Sequence, residues 1–273
     1  MNQKKRLDDA AYERGLTSSA KKAQALIMAG IVYLNGNKQT KAGFQVKDSD
    51  LIEIRGTRNP FVSRGGLKLQ KAIKSFEIIL DAAVCLDVGA STGGFTDCML
   101  HYGAAKVYAV DSGYNQLAWK LRTDDRVVNL ERTNFRFVTK ELILDPIDFA
   151  SVDVAFISLR LILPVLLPLL KNGARAVCLI KPQFEADREN VGEKGVVRDA
   201  SVHTEVVEAI GDFAVDNGYS ILNIDYSPLK GPEGNIEYLM HLIKSDTPQN
   251  LSEISAEELV KLSHAQLNGG DVS

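Results

Sequence analysis

Cysteine is scarce in this chain: three among 273 residues, at 85, 98 and 178, with no CxxC or other metal-ligand spacing. That absence removes any signature of a structural metal site or of a disulfide framework, so no metal is expected. Cys85 and Cys178 lie in apolar strand-like runs, where a thiol acts as a small hydrophobe, and a reducing, cytoplasmic setting is the simplest expectation. Long apolar runs are missing too. The longest, Leu161 to Leu170, is interrupted by Pro164 and Pro168 and reaches only half of the roughly 20 residues that cross a bilayer. The opening MNQKKRLDDA is charged with no apolar stretch behind it, so neither a secretory leader nor a membrane partner is expected.

What the chain does have is unevenly spread charge. The whole carries net −3, yet residues 1–74 hold 15 Lys/Arg against 6 Asp/Glu, and the remainder holds 17 against 29. A basic block on an acidic body is the pattern of a site for a polyanion; a merely solvated lysine-rich face is the plainer alternative.

Residues 1–56 read as a small α/β domain. Thr17, Ser18 and Ser19 are candidate caps for a helix whose Ala23, Leu26, Ile27 and Gly30 share a face. Ile31 to Leu34 and Leu51 to Ile54 have strand character, and Asn35-Gly36 is a hairpin turn signal. A core this small is marginal alone. Residues 57–62 look like a linker, with Asn59 and Pro60 as breakers. Over 63–245 the signals alternate. Strands are expected at 84–88, 106–111, 127–131, 152–157 and 174–181, and helices near 94–102, 113–121, 159–170 and 200–217. Two more strands are expected at 219–227 and 235–243. Near-continuous apolar strands alternating with helices predict a parallel sheet covered on both faces. The link 228–234 is too short for a crossover helix, so the last strand should run antiparallel. The expected fold class is therefore α/β, a Rossmann-like sheet of seven strands with the last reversed, behind a small α/β domain. In the tail, 246–273, Ser255-Ala256-Glu257-Glu258 is a capping box, and Ile254 with Leu259 is placed as a hydrophobic staple.

Three features carry chemistry. The first is Leu86-Asp87-Val88-Gly89-Ala90-Ser91-Thr92-Gly93-Gly94-Phe95, between a strand end and a helix start. Glycine lets the backbone turn tightly and approach a ligand. Ser91 stands where the second glycine of G-x-G-x-x-G would be, which weakens a dinucleotide reading. Such a loop suits the amino-acid part of S-adenosylmethionine, which has no pyrophosphate; an ordinary strand–helix turn is the bland alternative. The second is Asp111-Ser112, at the end of the next strand, about 20 residues on, where a carboxylate can accept the ribose hydroxyls of an adenosine or cap a helix. The third is a set of four charged residues in apolar or glycine-rich contexts: Lys68, Asp153, Lys181 and Glu237. Such residues are rarely buried without partners. The sheet's carboxyl edge is where their segments should meet; four separate salt bridges are the alternative.

The segments VSRGGLKL, LDVGASTGGFTDCML, DSGYNQLAWKLR, LERTN, VDVAFISL, LIKPQFE and GPEGNIEY make the chain resemble the TlyA (haemolysin A) family of ribosomal RNA 2′-O-methyltransferases. That family joins an S4 RNA-binding domain to an FtsJ-type methyltransferase domain. The resemblance implies S-adenosylmethionine as cofactor, held by Asp87, Gly89, Ala90, Ser91, Thr92, Gly93, Gly94, Phe95, Asp111, Ser112 and Asn134. It implies a catalytic tetrad of Lys68, Asp153, Lys181 and Glu237, and ribosomal RNA in ribosomal subunits as partner, with a cytidine as target. The S4 opening expected as RLDxxLVxRGL reads Arg6-Leu7-Asp8-Asp9-Ala10-Ala11-Tyr12-Glu13-Arg14-Gly15-Leu16. Candidate RNA contacts are Lys4, Lys5, Arg6, Arg14, Lys21, Lys22, Lys38 and Lys41, with Arg64 at the start of the body.

A ribose 2′-hydroxyl is a weak acid and needs a base near neutral pH. A free lysine, with a pKa of about 10.4, needs burial or a neighbouring positive charge to serve. The expectation is that Lys181 takes the proton and Lys68 steadies the alkoxide, while Asp153 and Glu237 orient the amines. A version in which Lys181 acts only through its charge stays open. Phe95, Tyr114 and Trp119 are candidates for stacking a base or for filling the core. A membrane-active haemolysin and a non-catalytic RNA-binding assembly factor are the rival classes.

Overall fold

The computed structural model describes residues 4–55 and 59–268. The chain divides into two compact units, Met1–Arg58 and Asn59–Ser273. The expected linker at 57–62 falls partly outside the described residues; of its remainder, Phe61 is buried in the core of the second unit.

The first unit runs β1 (Lys5–Arg6), α1 (Leu7–Glu13), α2 (Ala20–Met28), β2 (Val32–Leu34), β3 (Asn37–Gln39), β4 (Gln45–Val46) and β5 (Ile52–Ile54). Ser19 caps α2, its hydroxyl accepting from the Lys22 amide, which satisfies one of the orphan donors of the first turn. Asn35 and Gly36 both take positive φ, 50° and 83°, as a hairpin turn between β2 and β3 requires. β2 is central between β3 and β5, while β1 pairs with β4. β1 and β4 are two residues each, too short for a periodic signal. The core is a handful of side chains, Leu7, Ala11, Ile27, Val32 and Ile52 among them.

The second unit runs α3 (Gly65–Ser75), β6 (Val84–Val88), α4 (Gly94–His101), β7 (Lys106–Val110), α5 (Trp119–Arg122), β8 (Val127–Leu130), β9 (Ile147–Val152), α6 (Leu163–Leu166), β10 (Leu170–Ile180), α7 (Pro182–Glu185), α8 (Ala200–Asp216), β11 (Tyr219–Tyr226), β12 (Tyr238–Lys244) and α9 (Ala256–Asn268). Seven strands form one sheet in the order β11-β12-β10-β9-β6-β7-β8. The strands from β10 to β8 pair in parallel, and β12 is antiparallel to both β10 and β11, as the short connection before it demands. Strand alternation sends Leu86, Val88, Tyr108 and Val110 to one apolar layer and Cys85, Val107 and Ala109 to the other. Both faces of the sheet are thus covered, which the continuous apolar runs require. The tail helix α9 packs on α8 and β11; its capping box is made, with Glu258 accepting from the Ser255 amide and the Ser255 hydroxyl accepting from the Glu258 amide. Among the described residues no helix is long and apolar enough to cross a membrane.

Two expected elements lie elsewhere. The strand expected at 152–157 is β9 at 147–152; its sequence, IDFASV, mixes Asp148 and Ser151 into the apolar run and so disguises a buried strand. Asp153 and the apolar residues 154–157 leave the sheet as a loop, with Phe156 at φ 61°. The helix expected at 113–121 is confined to α5 at 119–122.

Candidate active site

The site forms where β6, β7 and β9 end. After Val88 the chain turns at Gly89, φ 86°, so tightly that a Cβ there would lie 2.4 Å from the Asp153 carbonyl oxygen. Only glycine permits that approach. Ser91 also holds a left-handed conformation, φ 48°, and its amide donates to Asp111 Oδ2 at 2.8 Å. The other Asp111 oxygen accepts from the Gly113 amide at 2.6 Å. Asp111 caps no helix, since α5 starts later; its carboxylate ties the loop after β6 to the loop after β7.

A cleft of about 550 Å³ runs along this edge, lined by Gly89, Ser91, Asp111, Ser112 and Asn134 with the apolar Phe135 and Ile157. A smaller recess of about 240 Å³ shares Gly89, Ser91 and Asp153 with it and adds Ala90, Thr92, Gly94, Phe95 and Lys181. The pair offers an apolar slot with a carboxylate and an amide beside it, then a glycine-walled recess leading to a lysine. That donor set fits an adenosine joined to an amino acid.

Two residues expected at the cofactor do not line these cavities. Gly93 is the N-cap of α4, and a Cβ on it would strike the Leu121 and Leu117 side chains. Asp87 is fully buried beneath the loop, accepting hydrogen bonds from Thr96 Oγ1 at 2.6 Å and Ser151 Oγ at 3.2 Å. It pins β6 to α4 and β9. Burial pushes its carboxyl up to about 7, with the charge of Asp153 adding and the two hydroxyls opposing.

The four expected catalytic residues converge. Asp153 immediately follows β9 and its amide donates to the Val88 carbonyl at 2.9 Å. Lys181 immediately follows β10, and Glu237 immediately precedes β12; the register that pairs Ile180 with Tyr238 brings them to one end. Lys68 arrives on α3, which approaches α4 through Gly66, where a Cβ would meet the Phe61 ring at 2.5 Å and the Gly94 carbonyl at 2.7 Å. The side chains form a chain of charge. Lys181 Nζ lies 2.5 Å from Asp153 Oδ1, Lys68 Nζ 3.9 Å from Asp153 Oδ2, and Lys68 Nζ 2.5 Å from Glu237 Oε2. Lys181 also donates to the Val154 carbonyl at 2.8 Å. Glu237 is wholly buried, and its Oε1 has no hydrogen-bond partner among the described residues. Alternating signs offset the desolvation cost that any one of these charges would carry alone.

One residue at the site gives no signal in the sequence. Phe156 is 90% exposed in a left-handed conformation, 5.0 Å between ring centroids from Phe184, at the cleft mouth. Within an apolar run it is indistinguishable from a strand residue. Of the stacking candidates, Phe95 is buried, while Tyr114 and Trp119 are exposed.

The basic candidates fall into two groups. Lys4, Lys21, Lys38 and Lys41 are exposed. Lys5 pairs with Glu13, and Arg6 with Asp8; Lys22 donates to Ser18 Oγ. Arg14 donates to the carbonyls of Lys47, Asp48 and Asp50, and so braces its own unit. Arg64 is exposed at the start of α3, over a recess shared with Lys68 and Lys230.

Residues 61–244 match the FtsJ-like methyltransferase family and residues 5–52 match the S4 domain. YqxC of Bacillus subtilis, provisionally named an rRNA methyltransferase, is 49% identical across 96% of this chain and 93% of its own. The 16S/23S rRNA (cytidine-2′-O)-methyltransferase TlyA of Mycobacterium tuberculosis is 41% identical across 95% of this chain and 97% of its own. A solved Streptococcus thermophilus structure, provisionally named a hemolysin, superposes with a TM-score of 0.79 at 45% identity, covering 99% of both chains. With its S4 domain, its FtsJ-like methyltransferase domain and relatives this similar over nearly their whole length, the chain belongs to the TlyA (haemolysin A) family of methyltransferases.

Proposed function

We propose that the protein transfers a methyl group from S-adenosylmethionine to a ribose 2′-hydroxyl of ribosomal RNA, at a cytidine, the nucleotide named for the M. tuberculosis relative. The observation that carries this reading is the Lys68–Asp153–Lys181–Glu237 chain beside a cleft that fits the cofactor. When bound, S-adenosylmethionine supplies an electrophilic methyl, so the remaining work is to position and deprotonate the hydroxyl. Gly89, Ser91, Asp111 and Asn134 would hold the cofactor. Lys181 uses two of its tetrahedral positions on Asp153 and the Val154 carbonyl. One position is left, toward the recess it lines, and in the amine form that position is a lone pair. Lys181 then takes the 2′-proton, while Lys68, held between Asp153 and Glu237, stabilises the developing alkoxide. Phe156 and Phe184 offer an aromatic face for an unstacked base, the usual way single-stranded RNA is held.

The test is transfer of labelled methyl from S-adenosylmethionine to purified ribosomal subunits, followed by mapping of 2′-O-methyl marks. Label on a cytidine ribose, lost in Lys181→Met, is the expected result. Absence of label on either subunit, with cofactor bound normally, would overturn the assignment.

A further inference from the structure

Outside the tetrad, seven cations of the acidic body are paired with carboxylates among the described residues, and others, such as Arg64, Lys140 and Arg198, are not. Lys71, Lys106, Lys120, Arg122, Arg126, Arg160 and Lys171 each have a carboxylate within salt-bridge distance. Arg132 and Arg136 differ. Among the described residues neither meets a carboxylate; each instead lies over an exposed aromatic ring. The Arg132 guanidinium carbon is 3.9 Å from the Tyr114 ring centroid, and that of Arg136 is 5.5 Å from the Phe137 centroid. All four residues are exposed, Phe137 to 76% and Tyr114 to 63%. Two exposed rings, each beneath a guanidinium that meets no carboxylate, serve no packing purpose that the fold requires.

The backbone fixes this arrangement. Arg132 is left-handed, φ 55°, and its amide donates to the Gly113 carbonyl at 2.9 Å, while Thr133 donates to the Asp111 carbonyl at 2.9 Å. The loops after β7 and β8 are thereby stitched together, and Asn134 holds the next turn by accepting from the Arg136 amide. Both loops line the cofactor cleft, through Gly113 and Asn134. A guanidinium held over a ring keeps in-plane N–H donors for the fork that matches a phosphate; among the described residues Arg136 engages only its Nε, which donates to Asn134 Oδ1 at 3.4 Å, so its two terminal nitrogens stay available. The nearest acid in sequence, Glu131, is occupied by Arg122 and by the amides of Gln116 and Leu117, so it does not neutralise them.

We propose that Arg132 on Tyr114 and Arg136 on Phe137 form an RNA-backbone clamp on the methyltransferase unit itself, binding phosphates of the strand that flanks the modified nucleotide. The proposal rests on the RNA-methylating reading above. The clamp would grip RNA at the adenosine end of the cofactor cleft, independently of the N-terminal unit's lysines. Its rings would stack on flanking bases without reading sequence.

The experiment measures binding of the full-length protein to purified ribosomal subunits over a series of salt concentrations, with S-adenosylhomocysteine affinity measured in parallel. Each phosphate contact contributes roughly 0.7–0.9 to the slope of log affinity against log salt. The Arg132→Gln/Arg136→Gln variant should lose about 1.5 from that slope and about tenfold in affinity at moderate salt. Arg132→Gln alone, which does not line the cleft, should lose about half of each. Arg132→Lys should restore the slope while recovering only part of the affinity, since an ammonium lacks the fork. Unchanged slope in the double variant would overturn the clamp and leave the methylation reading standing. A loss of RNA affinity matched by an equal loss of S-adenosylhomocysteine affinity in Arg132→Gln would also overturn it, by tracing the effect to the cofactor. Wild type that binds neither subunit would overturn both.

Discussion

In the proposed reaction Lys181 is where the chemistry concentrates at the scale of one residue. Its burial, at 9% exposure, and its two fixed contacts leave its terminal nitrogen with one useful direction. Whether that direction carries a lone pair or a proton is what separates general-base catalysis from electrostatic stabilisation. Arginine preserves the positive charge and can reach Asp153, but it does not release a proton in proteins. Lys181→Arg should therefore lower kcat by at least about 100-fold, the smaller end of what a positioned base contributes, with cofactor affinity unchanged within a few fold. Single-turnover methyl transfer measured from pH 6 to pH 9 checks this. Retained activity with a flat pH profile would mean that charge alone suffices and that proton removal happens elsewhere. Asp153 answers a different question. It contacts both lysines, and its backbone oxygen is the atom that forbids a side chain at Gly89, so one residue sets both the amine positions and the shape of the loop after β6.

At the scale of elements, the sheet carries two buried titratable groups that respond to pH in opposite directions. Asp87 on β6 has its carboxyl pushed up to about 7 by burial. Between about pH 4 and pH 7 the folded chain holds a proton there that the unfolded chain has released, so this contribution to stability is lost as pH rises. His241 on β12, stacked on Phe76, is pushed down to about 4 by burial, with the positive charge of Arg175 adding. The unfolded chain takes up a proton there below about pH 6.5 that the folded chain refuses, so stability is lost as pH falls. Asp87→Asn should remove the first trend: from pH 8 to pH 5 wild type should gain on the variant by at most about 3 kcal/mol, the two units below pH 7 at 1.36 kcal/mol each. His241→Gln should remove the second, losing about 2 kcal/mol less than wild type between pH 7 and pH 5. Urea denaturation at stepped pH measures both, and parallel curves for wild type and variants would show that neither group couples to folding. The same elements show what could be read from sequence. Where burial on both faces forces a continuous apolar run, as in β6, β7 and β10, the strand is plain, and the short 228–234 link gives the reversal of β12. Where polar residues serve partners inside the fold, as Asp148 and Ser151 do in β9, the periodic signal fails and the strand is displaced onto its own exit loop. Asp111 was legible as an acid at a strand end, but its work of joining two loops through amides depends on backbone turns that no side-chain pattern encodes. Phe156 is hidden for the same reason, since what sets it apart is a dihedral angle.

For the whole molecule, the two units differ in the charge they carry and in the core that supports them. Residues 1–58 hold 11 Lys/Arg against 6 Asp/Glu, whereas residues 59–273 hold 21 against 29. The larger unit buries apolar layers on both faces of its sheet and contains the cleft proposed for the cofactor and all four tetrad residues. It has what a domain needs to fold alone. The smaller unit, with its few buried side chains, is near the lower limit for independent folding. A polyanion approaching the whole chain meets a net-negative body, so the N-terminal unit must supply much of the long-range attraction, with exposed Lys4, Lys21, Lys38 and Lys41 as its free cations. A chain of residues 59–273 should consequently bind S-adenosylhomocysteine within about threefold of the full-length protein. Its affinity for ribosomal subunits at moderate salt should fall at least about tenfold, and the gap should narrow as salt rises, because the lost contacts are those whose counterions salt replaces. Calorimetry for the cofactor product and a salt series for the subunits measure the two quantities on the same preparations. If the truncated chain binds subunits as tightly as the whole one at every salt concentration, recognition resides in the methyltransferase unit, and the basic N-terminal block serves some purpose other than capturing RNA.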